Sequence, residues 1–195
     1  MLNLAQQARH QIRIRNIASD GWKVVEPFGS SKSLNRCAER TFGSMRVVQK
    51  FITPAGPDTV WQVLADVEHW RDWMPTVVEI KPLSNTGLTV GARYRVVQPK
   101  LRPAIYEVTE CVPNQAFTWE QKLSGGALIA GHRLSSHDGA TEVELSFTSK
   151  GLLANIVGKM FSKMIGDYVA TEAKGLKSRC DSLAVHQEGL SRPDR

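Results

Sequence analysis

Three short turns constrain this chain more than any other feature, because a turn's length decides which residues of adjoining strands lie opposite each other. The segments they join are Tyr106–Val112, Phe117–Leu123, Leu128–Leu134 and Thr141–Phe147, each alternating apolar and polar residues at period two. Asp138-Gly139 carries the signature of a type I′ turn and sets His137 opposite Ala140, hence Leu134 opposite Val143 and His132 opposite Leu145. Reading 113–116 and 124–127 as four-residue loops sets Val112 opposite Phe117 and Leu123 opposite Leu128. Opposed residues share a face, so three rows follow. They are Val112, Phe117, Leu134, Val143; then Glu110, Trp119, His132, Leu145; then Val108, Gln121, Ala130, Phe147. Nearly all of these side chains are apolar, the exceptions being Glu110, His132 and Gln121. An apolar concave surface with a few polar groups is how a small-molecule site is usually built.

The rest of the chain supplies partners for that sheet. Met45–Thr53 alternates as a first strand, and Pro54-Ala55-Gly56-Pro57 ends it. Pro57-Asp58 suits the first turn of a helix, where proline loses nothing and an acid complements the dipole. Val60, Trp61 and Leu64 share one stripe of that helix, and a second short helix covers Val67–Trp73 up to Pro75. Val77–Leu83 and Gly91–Gln98 read as strands around a Ser84-Asn85-Thr86-Gly87 turn. Ala92, Tyr94 and Val96 fall on one side of the second of them. After Gly151, apolar residues recur at steps of three and four from Leu153 through Tyr168, and more weakly through Leu176 and Leu183. One helix of some thirty residues is expected, with Met160, Phe161 and Met164 on its stripe. The expected design is α+β: a curved antiparallel sheet of seven strands around a long C-terminal helix, with two short helices between strands 1 and 2.

Bulk properties exclude several functions. At 195 residues the chain suits one domain with tails. The expected divisions are an extension at 1–43, disordered or loosely packed, a ligand-binding domain at 44–184 and a polar tail at 185–195. The net charge of +6 is unevenly spread: residues 1–43 hold seven Lys/Arg against three Asp/Glu, and residues 44–184 hold sixteen against fourteen. The near-neutral domain and the lack of any aromatic-basic interleaving argue against a nucleic-acid partner. Arg9, Arg13 and Arg15 without an acid before Asp20 admit three readings: a transit peptide, a plain tail, or sequence upstream of a start at Met45. Cys37, Cys111 and Cys180 have no paired spacing, and the histidines form no HxH or HxxxH. Neither a disulfide framework nor a metal site is expected, in keeping with a reducing, cytoplasmic compartment. No apolar run reaches the length of a membrane span, so no stable membrane insertion is expected. No catalytic triad order, phosphate loop or dinucleotide fingerprint is present, and no cofactor is expected.

This order of elements resembles the helix-grip superfamily, which includes START lipid-binding domains, the birch-pollen allergen family and polyketide cyclases and aromatases. The matching pieces are PAGPDTVWQVLADVEHWRDWMP (54–75), VGARYRV (90–96), YEVTECVPNQAFTWE (106–120), HDGATEVELSF (137–147) and the terminal helix. The resemblance runs from Ser44 to about Leu183 and is strongest to the bacterial polyketide cyclase/dehydrase branch. It implies a helix-grip fold and a hydrophobic small-molecule partner, with the protein a monomer or homodimer. It carries no catalytic residue across, because no motif peculiar to the cyclizing enzymes is present and this fold hosts many functions.

Three readings of function follow. The first is a binder of a lipid, polyketide, isoprenoid quinone or aromatic metabolite, held between sheet and terminal helix. Its expected lining includes Trp73, Tyr94, Tyr106, Val108, Trp119 and Gln121, with His132, Leu145, Phe147 and the helical Met160, Phe161 and Met164. The second is a cyclase, aromatase or dehydratase with Glu110, His132 or Tyr94 as acid/base groups. Two strand spacings leave roughly 10 Å between the Glu110 and His132 backbones, and a low dielectric shifts such groups toward proton exchange. Against this, an acid is seldom buried without a partner, and His132 can simply bond a backbone carbonyl. The third is a partner-binding module whose cavity, below about 300 Å³, is vestigial.

Overall fold

A computed structural model describes residues 23–24, 44–84 and 87–190. The opening strand β2, Arg46–Thr53, alternates because Val47, Gln49, Phe51 and Thr53 turn inward while Arg46 and Lys50 meet glutamates of the neighbouring strand. Helix α1, Pro57–Ala65, starts with proline in its first turn and Asp58 beside it, where the missing N–H costs nothing and the acid meets the positive end of the dipole. It buries Val60, Val63 and Leu64. The second short helix, Val67–Asp72, is 3₁₀ and buries Val67 and Trp70. Trp70 is held by its indole N–H, which donates to the Leu64 carbonyl at 3.1 Å.

Strands β3 (Glu79–Pro82), β4 (Arg93–Val97), β5 (Ala104–Val112), β6 (Ala116–Leu123), β7 (Gly126–His137) and β8 (Ala140–Lys150) follow as sequential hairpins. With a two-residue β1 at Lys23–Val24, the sheet order is β1-β2-β8-β7-β6-β5-β4-β3, antiparallel throughout. Seven strands make the curved sheet. Strand β1 adds an edge to β2 by pairing with Lys50 and Gln49. The rest of 1–43, expected to be disordered or loosely packed, lies outside the described residues, as do Asn85 and Thr86 of the β3–β4 turn.

The β7–β8 register is as expected. Asp138 and Gly139 both have positive φ, 47° and 82°, as a type I′ turn requires, and His137 faces Ala140, Leu134 faces Val143 and His132 faces Leu145. The other two loops are shorter than expected. Asn114, at φ 61°, closes a three-residue loop that pairs Val112 with Ala116. Gly125, at φ 75°, closes a two-residue turn that pairs Leu123 with Gly126. The second change slides β7 by two residues, which preserves the facing of every side chain. A bulge at Thr109 does not: Val108 faces Trp119 while Glu110 faces Thr118, so Thr109 and Glu110 are both exposed. The observed rows are therefore Cys111, Phe117, His132, Leu145 and Val108, Trp119, Ala130, Phe147.

The C-terminal helix is in two pieces. Helix α2, Leu152–Met160, and helix α3, Ser162–Leu190, meet at Phe161. Helical hydrogen bonds run through the junction, Phe161 N–H to the Val157 carbonyl and Ile165 N–H to the Phe161 carbonyl. The side that carries Ala154 and Gly158 faces the protein, Leu153, Ile156 and Met160 face outward, and α3 runs on to Leu190. Gly151, at φ 94°, lets α2 leave β8 against the β6–β7 turn, since a Cβ there would lie 2.3 Å from the Gly125 carbonyl oxygen. Along α3, Val169, Ala173, Leu176, Cys180 and Ala184 are buried. Gly175 lets the helix pass directly over Trp73, whose carbonyl oxygen would be 2.3 Å from any Cβ. Among the described residues, no helix is long and apolar enough to cross a membrane.

Candidate functional site

A cavity of about 350 Å³ lies between the sheet and the C-terminal helices. Trp70, Met74 and Val77 wall one side, and Ile80, Val96 and Ala104 come from β3, β4 and β5. Tyr106, Trp119, Ala130, His132 and Phe147 form the sheet wall, with Gln121, Leu123 and Leu128 further along it. Val157, Phe161, Met164, Ile165, Tyr168, Val169 and Glu172 form the helical wall, and Gln98, Leu101 and Arg102 complete the rim. Period-two alternation aims the strand residues inward, while steps of three and four aim Phe161, Ile165, Tyr168 and Glu172 from the helix.

At the buried end an aromatic cluster surrounds a histidine. The imidazole of His132 stacks on Phe117 with centroids 4.0 Å apart and planes 12° from parallel. Trp70 lies edge-on at 5.4 Å and Trp119 at 6.2 Å. Trp70 also meets Trp119 at 5.3 Å, and Tyr106 meets Trp119 at 5.2 Å. Such contacts stabilise the ring arrangement by about 0.5–1.5 kcal/mol per pair beyond area burial. Across the cavity, His132 Nε2 is 2.9 Å from Glu172 Oε1, with side-chain exposures of 3% and 13%. With Glu172 ionised, the proton sits on Nε2 and is donated to the carboxylate. Nδ1 has no partner among the described residues, so it is left as an acceptor, or as a second donor when the ring is protonated. Burial, and after it the Glu172 charge, push the Tyr106 phenol up to about 12. That phenol is therefore a hydrogen-bond donor at neutral pH and not an anion.

The structure puts seven of the twelve expected residues on the cavity wall: Tyr106, Trp119, Gln121, His132, Phe147, Phe161 and Met164. Five are elsewhere. Val108 and Leu145 are 1% exposed and packed in the core behind the wall. Tyr94, 2% exposed, lies behind Trp119 at 6.2 Å, and burial raises its phenol. Trp73 packs against Trp70 and faces a separate shallow surface pocket with Lys174 and Ser178. Met160 is 68% exposed, because it lies on the side of the helix opposite the buried Ala154 and Gly158. The acid/base reading that sets Glu110 beside His132 is not met either. The bulge turns Glu110 to the outer face, where it accepts a hydrogen bond from Thr118 Oγ1 at 3.1 Å.

The carboxylate that does meet His132 is Glu172, which the sequence reading passed over. A signal existed: Glu172 stands four residues after Tyr168 and four before Leu176 on the apolar stripe. An acid on the buried side of an amphipathic helix needs a partner. Trp70 and Tyr168 were also missed as wall residues. The Tyr168 hydroxyl donates to the Pro99 carbonyl at 2.6 Å and ties α3 to the β4–β5 loop.

Sheet, C-terminal helices and apolar cavity together define the class, a helix-grip domain. The chain belongs to the polyketide cyclase / dehydrase and lipid transport family, whose model matches residues 44–181. Solved structures with the same fold include a hypothetical protein from Helicobacter pylori, 14% identical, with a TM-score of 0.61 over 77% of this chain and 99% of that one. A START superfamily protein from Mycobacterium smegmatis is 19% identical, with a TM-score of 0.57 over 72% and 99% of the two chains. The di-domain ARO/CYC of the steffimycin biosynthetic pathway is 9% identical, with a TM-score of 0.59 over 73% of this chain and 52% of that one. A search of curated proteins returns no significant match.

Proposed function

We propose that this protein binds a hydrophobic small molecule with its apolar body between sheet and helix and one polar group beside His132 and Glu172. The ligand class is a lipid, polyketide, isoprenoid quinone or aromatic metabolite. The observation carrying this reading is a cavity of about 350 Å³ whose mainly apolar wall ends on a buried His–Glu pair with a free ring nitrogen. That volume is within the range of small-molecule pockets and above the roughly 300 Å³ below which a vestigial groove would be favoured. Membership of a family described by both cyclases and lipid transport supports the same ligand chemistry.

Native mass spectrometry of protein purified from its own host tests this directly, and a co-purifying apolar ligand is expected. A fluorescent apolar probe supplies the second arm. It should bind the parent and quench Trp119, and Trp119→Phe should keep binding. Trp119→Arg should abolish it, because a cation would enter an apolar wall. Retained binding in Trp119→Arg would remove the cavity from consideration.

A second reading, a cyclase, aromatase or dehydratase, is favoured by one observation, the 2.9 Å His132–Glu172 contact. A histidine oriented by a carboxylate can accept a proton at one site and return it at another, as enolisation or dehydration needs. If turnover of a polyketide-like substrate is found, His132→Gln should lower kcat far more than it changes KM. Equal kcat in parent and variant would leave the binding reading alone.

A further inference from the structure

Among the described residues, the outer side of α2 is apolar and uncovered. Leu152, Leu153, Ile156 and Met160 are 57%, 52%, 55% and 68% exposed, although they lie on a well-formed helix. Burial of Ala154, Asn155 and Gly158 shows which side faces the protein, so the exposed leucine, isoleucine and methionine are the deliberate outer side. A contiguous apolar patch of this kind marks an interaction surface.

Two facts say what covers it. The first is charge. Residues 145–166 carry Lys150, Lys159 and Lys163 and no acid. Lys163 is engaged with Asp167 at 2.7 Å, while Lys150 and Lys159 have no ion pair among the described residues. The second is position. The apolar cavity-lining residues most open to solvent are Phe161, 41% exposed, on the α2–α3 junction, and Leu101, 39% exposed, on the β4–β5 loop. Leu101 sits between Lys100 and Arg102, and the Tyr168–Pro99 hydrogen bond holds that loop against α3. Both borders of the opening thus present an exposed apolar side chain flanked by cations.

We infer that α2 and the β4–β5 loop dock on an anionic lipid bilayer, lying in its interface with the cavity opening toward the lipid. Apolar side chains enter the headgroup–acyl boundary while lysines and arginine meet anionic headgroups, the arrangement by which interfacial helices bind. Rival occupants fit the charge less well. A second copy packed on the same face would bring two sets of Lys150 and Lys159 together with no acid from this stretch between them. The chain's own residues 1–43 precede Met45, whose side chain lies beside Gly158 of α2, but they carry seven Lys/Arg against three Asp/Glu and would bring like charge to like. The docking surface adds to the proposed function a source for the ligand, but either can fail alone.

The test is flotation of the full chain with phosphatidylcholine vesicles, with and without phosphatidylserine, at low and high salt. Binding is expected only with phosphatidylserine and should fall as salt screens the charges. Ile156→Gln with Met160→Gln should weaken it roughly tenfold or more without changing apolar-probe uptake in vesicle-free solution, because neither side chain lines the cavity. Lys159→Ala should weaken it severalfold at low salt only. Three results overturn the inference: no binding by the parent, equal binding to both vesicles, or a double glutamine variant that binds as the parent does. So would a dimer that the same variant dissociates while vesicle binding persists, since the face would then belong to a second copy. A parent that docks on vesicles yet takes up no probe would sink the ligand reading and leave docking intact.

Discussion

The two ends of the cavity are made of similar residues and governed by different physics. At the inner end, Trp70, Phe117 and Trp119 are 2%, 0% and 5% exposed and fix the His132 ring from several sides. At the mouth, Met160 and Phe161 are 68% and 41% exposed on a helix junction. Apolar side chains at the first end stabilise the fold; at the second they are spare and available to something outside. Hydrophobicity alone therefore did not decide which residues form the site; the side of the helix each one occupies did.

The largest effect that could break this contrast is a cavity cut at the inner end. Phe117→Ala should cost about 3–5 kcal/mol in urea denaturation, and a loss near 1 kcal/mol would mean the cluster is loosely packed. A pH titration sharpens the contrast next. Burial pushes both the Tyr106 phenol and the Cys180 thiol up to about 12, against ordinary values of 10.0 and 9.0. The folded state then holds protons that the unfolded chain has released. Stability should be fully present below about pH 9 and fall steadily as pH rises toward about 12. The Tyr106 part, about 2–3 kcal/mol from its two-unit difference, should vanish in Tyr106→Phe. A curve of unchanged slope in that variant would show that the phenol is not buried as described.

Glu172 comes third. Glu172→Leu leaves the His132 Nε2 without its acceptor and should cost about 1–3 kcal/mol, whereas Glu172→Gln keeps an acceptor and should cost less. Equal losses in the two would assign the effect to helix packing and not to the hydrogen bond. The smallest effect is expected at the mouth. Met160→Ala should change stability by no more than about 0.5 kcal/mol, and a cost of 2 kcal/mol or more would put Met160 inside and overturn the facing of the helix described above.

Much of the fold was legible in the chain because local chemistry and tertiary demand coincide there. Asp138-Gly139 allows little but a tight turn with two positive φ values, so the β7–β8 pairing could be read directly. Pro57 and Asp58 mark a helix start whatever surrounds them. The site was legible only in part. Trp119 and His132 face inward under either loop length, since a slide of two residues leaves facing unchanged. Glu110 does not, because a single bulge residue at Thr109 reverses the phase beyond it.

The sequence by itself determined the alternation of the strands, the turn between β7 and β8 and the inward facing of Trp119 and His132. Each depends on residues close together in the chain, where period-two geometry and turn chemistry act alone. Tertiary structure decided the bulge that turned Glu110 out, the side of the helix that left Met160 outside, and the meeting of His132 with Glu172 across 40 residues. Those depend on how a curved sheet closes against a helix, and the backbone resolves that closure by local irregularities that periodicity does not encode.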